Sequence, residues 1–191
     1  TAPEYWTVGR RCIMDMTLCA FVALALMSFA FFVKEEQTPK GRALWLLAFW
    51  TGLSGALLAK GIIGLGIPCA GLFFWLLVKR ERSLVIWASL FGAAALALLP
   101  VTAWLVALYK ADGSLAVRTV VISNNIGRFI GTHPDHQEPF YYYFAKFPAQ
   151  FLPWTVAMVA TLWLLFSKRL EGKGKNAAIF GAICFLVPFA A

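Results

Sequence analysis

The chain consists mainly of apolar runs that alternate with short polar segments. A helix of about twenty residues crosses the hydrocarbon core of a bilayer, where only helices or closed barrels can satisfy every backbone hydrogen bond. The runs lack the strict alternation that is typical of barrel strands. Hydrophobic residues make up 61% of the sequence and charged residues 14%, against roughly half and a quarter in soluble domains. The sequence therefore predicts an all-α polytopic membrane protein.

Hydropathy predicts about six membrane-spanning helices in a single transmembrane domain over residues 1–191. The predicted spans are residues 12–33, 43–59, 62–78, 84–109, 148–166 and 177–191, and one long outer loop with short helices covers residues 110–153. Pro68 and Pro100 are expected to kink the third and fourth spans, and Asp112-Gly113 is a turn signal in the long loop. Because the last apolar run stops early, we expect an internal piece of a longer protein.

The distribution of lysine and arginine predicts the orientation in the membrane. The loops that follow the first, third and fifth predicted spans are basic, with Lys or Arg at positions 34, 40, 42, 79, 80, 82, 168, 169, 173 and 175. The opposite side has these residues at positions 10, 11, 60, 110, 118, 128 and 146. The positive-inside rule therefore places the 110–153 loop on the outer face. On this view the net charge of +8 reports topology, and no nucleic-acid partner is expected.

Ionisable and aromatic groups on the predicted outer face are the candidates for a functional site, because charges at membrane depth are costly. The candidates are Asp15, Lys60, Arg128, His136, Glu138, Tyr141 and Tyr142. Each has a structural alternative. Lys60 can be a snorkelling lysine at a helix end, and Asp15 can stabilise the start of the first helix through the dipole. Arg128 can pair with Asp135 or bind lipid headgroups.

Five short stretches occur in order along the chain: RRCIMDM, LLAKGIIGLGIP, NNIGRF, HPDHQEPFYYY and FLPW. Together they resemble bacterial membrane glycosyltransferases of the protein mannosyltransferase superfamily, in the branch that includes the lipid A aminoarabinose transferases. The resemblance implies a GT-C type membrane domain in the bacterial inner (plasma) membrane. It implies transfer of a sugar from a polyprenyl-phosphate donor to a protein, lipid or glycan acceptor on the non-cytoplasmic, periplasmic face.

The resemblance also implies roles for individual residues. Lys60 and Arg128 are implied to meet the lipid phosphate, which suits a point-charge lysine and a bidentate arginine. His136 is implied to lie at the site as a candidate ligand of a divalent metal, and Glu138 is a second, weaker candidate. Asp15 matches a second acidic position of the family, whose catalytic acid precedes the part represented here. No catalytic residue is therefore expected within these 191 residues, which alone should be inactive.

More than one role is open for the tyrosines, and more than one function is open for the protein. Tyr141 and Tyr142 lie off the phenylalanine stripe of their predicted helix, where their hydroxyls could hydrogen-bond a sugar or a phosphate. A transporter fragment would carry its polar groups at mid-membrane on broken helices, whereas here they gather at one face. A non-catalytic membrane assembly or lipid-binding subunit remains open. The expected partners are the lipid bilayer and the lipid-linked sugar, with the acceptor unidentified.

Overall fold

The computed structural model of the protein describes residues 14–34, 38–126, 154–167 and 172–190. Within those ranges every regular element is a helix, which confirms the predicted all-α class. The elements are α1 Met14–Phe32, α2 Pro39–Lys60, α3 Ile62–Lys79, α4 Leu84–Leu96, α5 Leu98–Arg118, a π-helical segment Thr119–Ile126, α6 Trp154–Phe166 and α7 Gly172–Ala190.

Four described stretches are long and apolar enough to cross a membrane. They are Asp15–Phe32, Pro39–Lys60, Ile62–Lys79 and Leu84–Ile122, and they overlap the first four predicted spans. The apolar part of α6, Thr155–Leu164, is shorter than a span. Residues 148–153, the beginning of the predicted fifth span, lie outside the described residues. The division into six spans stays a prediction.

The chain forms two compact units, which are described separately. The first unit contains Thr17–Pro68 and Ser83–Gln137, and the second contains Thr1–Met16, Cys69–Arg82 and Glu138–Ala191. In the first unit α2 contacts both α4 and α5. In the second unit α6 contacts α7, and the buried Trp75 of α3 meets Phe180 of α7 edge to face, with ring centroids 5.0 Å apart.

Small residues bring α1 and α2 into close contact within the first unit. A Cβ on Gly52 would lie 2.7 Å from the backbone nitrogen of Ala25, and one on Gly55 would overlap the ring of Phe21. Phe29 and Phe49 are fully buried beside this contact, with ring centroids 4.8 Å apart. In a membrane, where lipid is as apolar as a side chain, such close packing is the main attraction between helices.

Two interruptions divide the long helical stretch between residues 84 and 126. Ala97 separates α4 from α5, and Pro100 follows three residues later. Because proline lacks an N–H, it cannot donate to the carbonyl of Leu96, and the break falls one turn before it. Gly113, with φ 77° and ψ −171°, breaks α5 at the predicted turn. The helix thus continues past residue 109, where the fourth span was predicted to end.

Candidate functional site: the turn after Lys60

Lys60 is the last residue of α2, and a single residue, Gly61, separates it from α3. Gly61 has φ 64° and ψ −144°, a combination that residues with a Cβ avoid. Its N–H donates to the carbonyl of Leu57 at 2.8 Å, and its own carbonyl accepts from the N–H of Gly64 at 3.0 Å. The same glycine therefore ends one membrane-length helix and starts the next, as the Lys60-Gly61 pair predicted.

The formal charge of this turn comes from Lys60. The carboxyl end of α2 carries a partial charge of about −0.5 and the amino end of α3 about +0.5, so the two helix ends roughly cancel. Lys60 adds a full positive charge at the junction, and the first turn of α3 contains no acidic residue. Lys60 is half-buried, while Leu58 and Ile62 beside it are exposed. Lys60 thus places one formal positive charge at the junction of two membrane-length helices.

Lys79 ends α3 as Lys60 ends α2, which makes it a useful comparison. The Lys79 ammonium lies 3.1 Å from Oε2 of Glu81 and 5.6 Å from the ring centroid of Trp75. Oε1 of Glu81 also accepts a hydrogen bond from the N–H of Arg82 at 3.1 Å. The contacts of the Lys79 ammonium with Glu81 and Trp75 give this lysine a structural role at the end of α3.

Asp15 lies in the first turn of α1 and is exposed. A carboxylate there is stabilised by the positive end of the helix dipole, so its position fits the structural alternative as well as a second acidic role. Asp15 and Lys60 belong to different compact units. The roles of Asp15 and Lys60 are therefore argued separately.

The remaining candidates follow the π-helical segment. Arg128, His136, Glu138, Tyr141 and Tyr142 lie outside the described residues, and their roles stay predictions. Among the residues that the structure describes, no group of three or more His, Cys, Asp or Glu side chains is arranged to hold a metal ion.

Two features of the described residues were not predicted from the sequence. The first is the π-helical winding of Thr119–Ile126, a type of segment that often occurs at functional sites. The β-branched run of residues 119–122, which crowds an α-helical turn, was the available signal. The second is Gly64, which is buried where a Cβ would collide with the carbonyl oxygen of Ala56. No local pattern marks that contact.

Residues 1–112 match the family model described as dolichyl-phosphate-mannose-protein mannosyltransferase. The undecaprenyl phosphate-alpha-4-amino-4-deoxy-L-arabinose arabinosyl transferase of Wigglesworthia glossinidia brevipalpis is 23% identical over 186 residues, which is 96% of this chain and 32% of that protein. A second transferase of that name, from Proteus mirabilis, is 27% identical over 187 residues, again 96% of this chain and 32% of the relative.

The fold is shared with a solved structure, that of ArnT from Cupriavidus metallidurans in the apo state. The TM-score is 0.67 at 21% identity, over 98% of this chain and 33% of that chain. This likeness confirms the expected GT-C type membrane fold. The chain spans about a third of the length of the curated relatives that it matches.

Proposed function

Since the chain belongs to the dolichyl-phosphate-mannose-protein mannosyltransferase family, we propose that the full-length protein transfers a sugar from a polyprenyl-phosphate donor to an acceptor. The relatives named above are undecaprenyl phosphate-aminoarabinose transferases, which supports an undecaprenyl phosphate-linked sugar as the donor. We place the enzyme in the bacterial inner membrane, with residues 110–153 on the periplasmic face. The acceptor is a protein, lipid or glycan of that face.

The observation that carries this proposal is the Lys60-Gly61 turn. A lipid-linked phosphate is an anion held at a membrane surface, and it needs a cation at the same depth. Lys60 provides one at the end of a 22-residue apolar helix, in the turn that leads directly into α3. An ammonium favours phosphate oxygens through charge-assisted hydrogen bonds.

The other roles complete the proposed site. Arg128 supplies a second, bidentate contact to the phosphate, and Tyr141 and Tyr142 hydrogen-bond the sugar or the phosphate. His136, with Glu138 as a weaker ligand, holds a divalent metal if one is used. We expect the 191 residues alone to be inactive, because no residue among them is assigned as the catalytic acid.

Sugar transfer by variants of the full-length protein tests the proposal. Lys60→Ala and Arg128→Ala should each remove a charge-assisted contact of about 1.5–3 kcal/mol, which lowers transfer roughly tenfold to a hundredfold. Arg128→Lys should recover part of the loss, since lysine makes no two-pronged contact. Lys79→Ala and Lys168→Ala are the matched controls and should transfer sugar like the wild type.

Two outcomes would contradict the proposal. If Lys60→Ala and Arg128→Ala both transfer sugar at the rate of the controls, the lipid phosphate is bound elsewhere and Lys60 is a snorkelling lysine. If the full-length protein binds undecaprenyl phosphate but transfers no sugar to any periplasmic acceptor tested, it is a lipid-binding subunit.

A further inference from the structure

The turn after Lys60 depends on two glycines, and the first of them acts through its backbone conformation. Gly61 combines φ 64° with ψ −144°, a region that is populated almost only by glycine. Both of its backbone polar groups are engaged, with Leu57 at 2.8 Å and with Gly64 at 3.0 Å. Any side chain at position 61 would force a different backbone path directly after Lys60.

The second glycine, Gly64, acts through its lack of a side chain. A Cβ at this position would collide with the carbonyl oxygen of Ala56 and would lie 3.2 Å from the backbone nitrogen of Leu57. Both obstacles are backbone atoms of α2, so neither can swing aside as the end of a side chain could. The first turn of α3 therefore rests directly on the last turns of α2, within one helical turn of Lys60.

The beginning of α3 has little helical stability of its own. It contains Gly64, Gly66 and Pro68, and glycine and proline have the lowest helix propensities. Pro68 also cannot donate a hydrogen bond to the carbonyl of Gly64, four residues earlier. Local preference therefore contributes little to the start of α3, and the close contact at Gly64 fixes its position against α2.

We propose that Gly61 and Gly64 are positioning residues, which hold the Lys60 ammonium where it meets the phosphate of the lipid-linked donor. The inference rests on the function proposed above for Lys60. In enzymes generally, a misplacement of about 1 Å can cost up to about a hundredfold in rate. A Cβ at position 61 or 64 displaces Lys60 without removing its charge, so the two glycines affect donor binding through Lys60.

The test compares Gly61→Ala and Gly64→Ala with Gly66→Ala in the full-length protein. Gly66 lies in the same helix, and a Cβ there would meet nothing within 4 Å, so Gly66→Ala is the matched control. Sugar transfer is measured while the concentration of the undecaprenyl phosphate-linked donor is varied. The first two variants should raise the KM for the donor about tenfold and leave the KM for the acceptor unchanged, while backbone strain and overpacking lower the Tm. Gly66→Ala should change none of these.

A second readout does not depend on turnover. Lys60 is modified with an amine-reactive reagent in the presence and absence of undecaprenyl phosphate, and its modification is followed by mass spectrometry. The lipid should protect Lys60 in the wild type and in Gly66→Ala, but not in Gly64→Ala. Adding Ala56→Gly to Gly64→Ala should not restore protection, because the obstacle is a carbonyl oxygen that this change leaves in place.

Distinct results overturn the inference and the function on which it rests. If Lys60→Ala loses transfer but Gly61→Ala and Gly64→Ala keep the wild-type donor KM, the positioning role is wrong and the proposed function stands. A fall in Tm and kcat without a change in the donor KM, or loss of folded protein in both variants, would also contradict positioning and assign the glycines to folding. If Lys60→Ala itself keeps full transfer, both proposals fail.

Discussion

Replacement of Arg80 by glycine should leave the end of α3 more stable than replacement by alanine does. Arg80 has φ 55°, in the left-handed region, where L-residues with a side chain are strained by about 1–2 kcal/mol. Arg80 lies directly after the end of the helix, at the position where glycine is most common. Its N–H donates to the carbonyl of Leu77 at 3.0 Å, and the N–H of Glu81 donates to the carbonyl of Leu76 at 3.0 Å. Both bonds of a Schellman motif are therefore present around an arginine.

The comparison of Arg80→Gly with Arg80→Ala isolates the backbone effect. Both variants lose the charge, which is worth about 0.3–1 kcal/mol near the carboxyl end of a helix, but only glycine relieves the strained φ. Glycine also gains more backbone entropy on unfolding than alanine does. This entropy offsets about 0.5–1 kcal/mol of the free energy gained by relieving the strain. We expect the glycine variant to unfold with a free energy higher by about 0.5–1 kcal/mol than the alanine variant.

Thermal unfolding of the purified full-length variants measures this difference. A change of about 1 kcal/mol moves the Tm of a domain of 150–250 residues by about 2–4 °C, so a smaller but resolvable rise is expected for a longer chain. Arg80→Gly should have the higher Tm and unchanged sugar transfer. If Arg80→Ala is as stable as Arg80→Gly, charge rather than backbone strain governs this position and the reasoning fails.

Three further predictions concern packing, topology and metal. Gly55→Ala should destabilise the protein by about 1–3 kcal/mol through overpacking, and Phe21→Leu should restore part of the Tm, because the obstacle is a side chain. In a cysteine-free background on intact cells, an impermeant thiol reagent should label Thr132→Cys but not Ser83→Cys; the reverse pattern would overturn the orientation. If His136 binds a metal, a chelator should reduce sugar transfer as much as His136→Ala does, and no chelator effect would remove the metal from the proposal.

Hydropathy was sufficient to predict the helical class, because a chain in lipid has few ways to satisfy its backbone groups. Local chemistry also located particular breaks. Proline lacks an N–H and glycine accepts positive φ, so Pro100 and Gly113 marked interruptions that the structure contains near Ala97 and at Gly113. The turn after Lys60 was predictable for the same reason. These features depend on one residue and its immediate neighbours.

Features that depend on tertiary contact could not be predicted in the same way. Gly64 is required by the approach of Ala56, eight residues earlier, and no spacing in the sequence shows that contact. Arg80 occupies a position where the usual signal is glycine or asparagine. Lys60 and Lys79 look alike in the sequence, as lysines that end apolar runs, and only the structure shows the contacts of Lys79 with Glu81 and Trp75.

Direct binding of undecaprenyl phosphate to the purified full-length protein tests the central claim, that the turn after Lys60 holds the lipid phosphate. The Kd is measured for the wild type, Lys60→Ala and Lys79→Ala. Loss of a charge-assisted contact of about 1.5–3 kcal/mol should raise the Kd of Lys60→Ala roughly tenfold to a hundredfold, while Lys79→Ala, which loses a structural contact with Glu81, should keep the wild-type Kd. A Kd for Lys60→Ala equal to that of the wild type, or an equal loss in both variants, would contradict the claim.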